Sequence, residues 1–207
     1  AMFKKESDDL FNAQLNKYRN LAKIIDIKDR DKVLEVGCGW GGFSCFLAKN
    51  FATDVTAITI SKKQFEKVKE KVFKEKLIDK VNVKLTDYRE VKGLYDKIVS
   101  IEMFEAVREK YWQKYFEVLG SNLKYNGAIG LQTITIEDKF FKKYRKFPDF
   151  IQTYIFPGGM LPSIEEMSRV LKLTGLSIEK KEMFGNDYAK TLKLWSKSFE
   201  NSWDNIK

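Results

Sequence analysis

The residues able to do chemistry gather in four short stretches. In Val33-Leu34-Glu35-Val36-Gly37-Cys38-Gly39-Trp40-Gly41-Gly42, an apolar strand runs into an acid and then a glycine-rich turn. Lacking a Cβ, Gly37 and Gly39 can take positive φ and let the backbone approach a ligand closely. Gly41 and Gly42 let the next helix start tight against the strand. The pattern fits the nucleotide-binding turn of a doubly wound sheet, the alternative being a glycine-rich turn that binds nothing. Thr59-Ile60-Ser61 and Gln64 follow a second apolar run. Gln64 can hydrogen-bond the hydroxyls of a ligand or merely complete a capping box with Ser61. Asp87, in Thr86-Asp87-Tyr88-Arg89, can accept from a ligand amino group or form an ordinary Asp turn. Glu102 and Glu105 sit three residues apart among Ile101, Met103, Phe104 and Val107. Solvated surface acids are not normally flanked in this way, and a carboxylate there would face a ligand's positive charge. The chain has no histidine. Triads, metal sites and general bases built on histidine are therefore excluded, and any base must be a carboxylate, a tyrosine or a bound anion.

Composition bounds what can hold these residues. The 207 residues fit a single domain, 1–207, and 43% hydrophobic with 14% aromatic residues is ample for a packed core. No apolar run approaches the roughly 20 residues that span a bilayer. Residues 1–7 lack the apolar stretch of a signal peptide. Cys38 and Cys45 read as small buried thiols in a reducing cytoplasm. The net charge of +9 fits nucleic acid, an anionic membrane surface or a plain solvated lysine-rich surface.

The elements follow from apolar spacing. A helix is expected over 7–25, capped by Ser7, and strands over 32–36, 54–58, 81–85, 95–101 and 127–135. Helices fall at 42–50, from Ser61, at 110–123 and from Ser163 to Gly175. A further strand is expected near 177–183 and a last helix from about 188. The alternation predicts an α/β, Rossmann-like, doubly wound and mostly parallel sheet. Residues 137–162 interrupt it as a basic-aromatic insertion, with Lys139, Lys142, Lys143, Arg145 and Lys146 among Phe140, Phe141, Tyr144, Phe147 and Phe150. It reads as a headgroup-binding surface whose phenylalanines dip toward acyl chains, or as a solvated flap whose rings pack on the sheet.

The turn E-x-G-x-G-x-G resembles the S-adenosylmethionine (SAM) site of class I methyltransferases more than a dinucleotide site. Such sheets usually finish with an antiparallel strand that nothing here supplies, and both ends read as short. The resemblance then narrows. VLEVGCGWGGF (33–43), TISKKQ (59–64), IVSIEMFE (98–105), LQTITI (131–136), YIFPGGMLPS (154–163) and YAKTLKLW (188–195) occur in the order found in cyclopropane-fatty-acid synthases and mycolic acid cyclopropane synthases. The likeness runs through nearly the whole chain.

That resemblance implies a reaction. The alkene of an unsaturated phospholipid acyl chain attacks the SAM methyl, a carbocation forms, a proton leaves that methyl, and a ring closes. Aromatic faces suit such a cation. The implied base is a bound bicarbonate gripped through Glu105, the backbone near Ile134, and Tyr188. Gln132 stands where the family often has His, and it can donate a hydrogen bond but cannot take a proton. The family's cysteine ligand precedes the matched region. The implied SAM contacts are Glu35, Gly37, Cys38, Gly39, Thr59, Ile60, Gln64, Asp87, Tyr88 and Ile101. The expected partner is unsaturated phospholipid at an anionic membrane, met from the cytoplasmic face. No stacking platform for nucleic acid is found, and a homodimer stays open. Two other readings remain: a methyltransferase that uses Gln132 to orient a soluble substrate, and a module that binds SAM or membrane without turnover.

Overall fold

The computed structural model describes residues 1–206. Contacts divide the chain into two compact units, one of Ile27–Glu179 and one joining Ala1–Asp26 to the residues from Lys180 onward. In the first, five runs pair as strands β1 (Lys32–Val36), β2 (Asp54–Thr59), β3 (Val81–Leu85), β4 (Tyr95–Ile101) and β5 (Leu123–Gln132). All four pairings are parallel, in the order β3-β2-β1-β4-β5. Helices α2 (Gly42–Asn50), α3 (Lys62–Lys74) and α4 (Trp112–Ser121) make the crossovers. The terminal unit holds α1 (Leu10–Ile24) and α7 (Gly185–Asn201); α5 (Asp138–Lys146) and α6 (Ile164–Leu173) belong to the sheet unit. Because β2 and β4 flank β1 on opposite sides, strand order reverses at β1. A crevice therefore opens beyond the carboxyl ends of these strands, where α/β sheets bind ligands. Among the described residues no helix is long and apolar enough to cross a membrane.

Capping follows the serine signals in part. Ser61 Oγ accepts from Gln64 N at 3.3 Å and starts α3, and Ser163 Oγ accepts from Glu166 N at 3.3 Å and starts α6. Ser163 is buried, so its loss also strips an inward-facing oxygen. Ser163→Ala is expected to lower stability by about 1 kcal/mol, read as a shift of the urea midpoint at constant slope. Elsewhere the boundaries move. Asp9, rather than Ser7, caps α1 by accepting from Asn12 N at 2.7 Å, while Asp8 organises the preceding turn through Lys4 N and Lys5 N. The helix expected at 110–123 begins with a 3-10 turn, Glu109–Tyr111, and ends at Ser121. β5 starts earlier than 127 because Leu123 already pairs with Tyr95; Asn126, at φ +63°, and Gly127 then take up a bulge. It stops at Gln132 rather than 135.

The strand expected near 177–183 is absent: these residues carry no regular structure. Ser177-Ile178-Glu179-Lys180-Lys181-Glu182-Met183 is mostly charged, and the sheet ends at β5 with no ladder onto this segment. The helix expected from about 188 is α7, which begins at Gly185, and a short helix over Trp203–Ile206 follows it.

An aromatic cluster forms the core on the α4 side of the sheet. Phe104 lies with its ring centroid 5.2–5.3 Å from those of Trp112, Tyr115 and Phe116, and all four are fully buried or nearly so. Trp112 Nε1 donates to Val107 O at 2.7 Å. Ring packing and this bond fix the loop after β4, which carries Glu102 and Glu105.

Candidate active site

The glycine turn leaves β1 with Gly37 at φ +79° and Gly39 at φ +54°. Gly37 N and Cys38 N both donate to Ile58 O, at 3.1 and 2.9 Å, which ties the turn to β2. A Cβ built on Gly37 would stand 2.7 Å from Met103 Cγ, so the turn and the Glu105 loop are in contact. A Cβ on Gly39 would meet nothing within 4 Å, so the space above that residue is open. Glu35 is only 2% exposed and accepts from Ser44 Oγ, which braces the start of α2 beneath the turn. Cys38 is buried, and burial together with Glu35 pushes its thiol up to about 12. It is protonated at neutral pH and is no nucleophile.

At the end of β2, Ser61 N donates to Thr59 Oγ1 at 3.1 Å, and Thr59 Oγ1 donates to Gln64 Oε1 at 2.7 Å. The return bond of a capping box is thus replaced: Gln64 answers Thr59, and its amide N–H groups are left to donate elsewhere. Ile60 is largely exposed at the same rim, as is Trp40 beyond the glycine turn. After β3, Asp87 caps a 3-10 turn over Tyr88–Glu90. Its carboxylate accepts from Arg89 N, Nε and Nη2 at 2.9, 2.9 and 2.7 Å, and this holds its pKa below the usual range. Tyr88 packs edge-on against Tyr115, with centroids 5.2 Å apart.

The carboxylates after β4 have different roles. Ile101, the last residue of β4, pairs with Gln132 in β5. Glu102 adopts φ +51°, its N–H donates to Gln132 O at 2.8 Å, and Gln132 Nε2 donates to Glu102 Oε1 at 2.6 Å. Gln132 therefore answers Glu102. A non-glycine residue in the left-handed region is a strained point that a two-bond latch can hold. Glu105 sits in the 3-10 turn Phe104–Ala106. Its Oε1 accepts from Ile134 N at 2.7 Å, and its Oε2 is buried without a hydrogen-bond partner. Burial raises its pKa against the lowering effect of the Ile134 N–H, its own N–H and the Thr133 hydroxyl. Ile134 is free to bond Glu105 because the chain leaves the sheet at Gln132.

The insertion closes behind this loop. Met160 N donates to Glu105 O at 2.9 Å, Ile136 N donates to Pro162 O at 3.0 Å, and Gly158, at φ +84°, lies against Arg108. The sequence pattern points to Glu105, but gives no signal for Met103, Met160 or the Glu102–Gln132 latch. These are contacts between residues brought together only by the fold. Tyr188 stands in the first turn of α7, within the terminal unit.

Comparison with known proteins fits this arrangement. The cyclopropane-fatty-acyl-phospholipid synthase of Escherichia coli (strain K12) is 35% identical over 202 residues, which cover 98% of this chain and 50% of that protein. The chain thus spans about half the length of that relative. The S-adenosylmethionine-dependent methyltransferase UmaA of Mycobacterium tuberculosis is 32% identical over 213 residues, covering 99% of this chain and 74% of that protein. Among solved structures, mycolic acid cyclopropane synthase CmaA1 complexed with SAH and CTAB superposes with a TM-score of 0.90 at 28% identity, covering 98% of this chain and 74% of that one. The fold is accordingly that of a class I SAM-dependent methyltransferase. The family model described as mycolic acid cyclopropane synthetase matches residues 1–207, and on that match the chain belongs to this family of SAM-dependent methyltransferases.

Proposed function

We propose that the chain carries the SAM-dependent site of an enzyme that transfers a methyl or methylene carbon to the double bond of an unsaturated phospholipid acyl chain. The observation that carries this reading is the contact between the two halves of the site. Met103 packs on Gly37, which sets the buried carboxylate loop of Glu105 against the glycine turn.

SAM fits the residues present. The open space at Gly39 admits a close ligand, the Gln64 amide is available to ribose hydroxyls, and the rims at Ile60, Asp87 and Tyr88 lie at the ends of β2 and β3. When bound, SAM supplies an electrophilic methyl. In the proposed reaction the alkene carbon bonds to that methyl as the sulfur–methyl bond breaks, leaving S-adenosylhomocysteine and a carbocation. Loss of one proton from the transferred carbon then allows ring closure.

Glu105 Oε2 is buried without a hydrogen-bond partner, and it suits an O–H donor such as bicarbonate, which would supply the base. The other two expected grips are differently engaged: the Ile134 N–H serves Glu105, and the Gln132 amide serves Glu102. The chain's own part is therefore to keep one carboxylate dry and aimed, with Ile134 fixing its other oxygen. Tyr188 is the fourth proposed contributor, on the resemblance alone. Incubation with methyl-labelled SAM and unsaturated phospholipid, followed by lipid extraction, tests the reading. Label in the acyl chains is expected; label confined to water-soluble products would assign a soluble substrate instead.

A further inference from the structure

We propose that residues 142–156 form a bilayer-docking surface selective for anionic lipid. This deepens the reading above and rests on it for the choice of a lipid partner. The insertion has two faces. On the inner one, Phe141 is 6% exposed in the aromatic core and the Tyr144 hydroxyl accepts from Leu161 N at 3.3 Å. Arg145 pairs with Glu109 at 2.9 Å and Lys139 with Glu137 at 2.7 Å, so these two cations are spent within the protein. Lys142, Lys143 and Lys146 are exposed on the other side of α5, and among the described residues they make no ion pair.

Directly after them the chain turns apolar. Phe147, Phe150, Ile151, Tyr154, Ile155 and Phe156 are 50–72% exposed within ten residues, and the rings of Phe150 and Tyr154 lie 5.2 Å apart. A π-helical turn over Ile151–Ile155 shapes this tip, and its backbone bonds are internal. Gln152 N donates to Asp149 Oδ1, Thr153 N to Asp149 O, and Phe156 N to Ile151 O. A self-bonded apolar turn can enter the acyl boundary without carrying unpaired N–H groups into it. Three unpaired lysines beside it supply the second anchor that stable docking of a peripheral protein needs. The two local acids are engaged in the fold: Asp149 caps the π-turn, and Asp138 Oδ1 accepts from Glu165 N. The surface is therefore basic and apolar together, which is complementary to an anionic bilayer. It also leads to the site, because Gln152 Nε2 donates to Gly159 O at 3.4 Å and the next residue, Met160, binds Glu105 O.

The test is flotation of this chain with vesicles of unsaturated phosphatidylglycerol and phosphatidylethanolamine, beside vesicles of phosphatidylcholine alone. The variants are Lys142→Gln/Lys143→Gln/Lys146→Gln and Phe147→Ser/Phe150→Ser/Tyr154→Ser. About fivefold weaker partitioning per lysine is expected on anionic vesicles, on the order of a hundredfold for all three, with little change on phosphatidylcholine. The aromatic variant is expected to lose binding to both. SAM affinity should stay at the wild-type value in each, which reports an intact fold. Wild-type-like flotation of either variant would overturn the proposal. So would an aromatic variant that loses only self-association, since that would assign the surface to a second copy. Label transfer to detergent-dispersed lipid separates the two claims: kept by the variants, it leaves the chemistry standing whatever the vesicles show; absent from the wild type, it removes the chemistry without touching the docking result.

Discussion

Glu105→Gln is expected to cut methyl or methylene transfer by about 10²- to 10³-fold, the range for losing a positioned acid–base group, while SAM affinity is unchanged. The amide keeps the shape and can still accept from Ile134 N, so the loop should hold. What it loses is the charge at the buried oxygen. The stability effect has the opposite sign. Burial raises the Glu105 pKa in the folded chain. At pH values below the ordinary carboxyl range both folded and unfolded states hold the proton. As pH rises above that range the unfolded group ionises freely and the buried one resists, so the native state loses stability through the window up to the raised value. Gln carries no such penalty. Thermal melts of Glu105→Gln at pH 7 should therefore equal or exceed the wild type, and the advantage should vanish at pH 4. A variant that loses both activity and melting temperature at pH 7 would show Glu105 to be a structural support only.

Gly37→Ala is expected to cost about 2–5 kcal/mol and to weaken SAM binding with it. Two terms add. A Cβ at φ +79° costs about 1–2 kcal/mol, and overpacking Met103 Cγ, 2.7 Å away, costs about 1–3 kcal/mol. The contact is with the root of the Met103 side chain, so rotation of its far end gives no relief. Set against a typical stability of roughly 5–15 kcal/mol, this is a large share. Combining it with Met103→Ala should relieve the clash with Met103 Cγ and leave the backbone term, a coupling that urea titration of the double-mutant cycle measures. Purely additive costs would mean that the turn and the Glu105 loop are not packed together.

How much of this was legible in the sequence depends on the range of the interaction. The glycine turn, the serine caps of α3 and α6 and the parallel strands are local patterns, and the folded chain keeps them. Glu105 was legible because a carboxylate among Met103, Phe104 and Val107 has no reason to face water. The motif resemblance, running from Val33 to Trp195, supplied the family. What could not be read is non-local. Gln132 meets Glu102 across thirty positions, and only the β4–β5 register brings them together. The strand expected near 177–183 fails because a strand needs a partner ladder, which its own residues cannot reveal. Which rings of the insertion pack inward is likewise set by the fold: Phe141 and Tyr144 are turned to the core, while Phe147, Phe150 and Tyr154 are exposed.

The most direct test uses SAM carrying a trideuterated methyl group, unsaturated phospholipid and mass analysis of the released acyl chains. Acyl chains that have lost the alkene and kept only two of the three deuterium atoms are expected, because a proton acceptor at the Glu105 site strips one from the transferred carbon before the ring closes. Acyl chains that keep all three would contradict proton removal from that carbon, and no acyl label from a chain that binds SAM would contradict the lipid reaction itself.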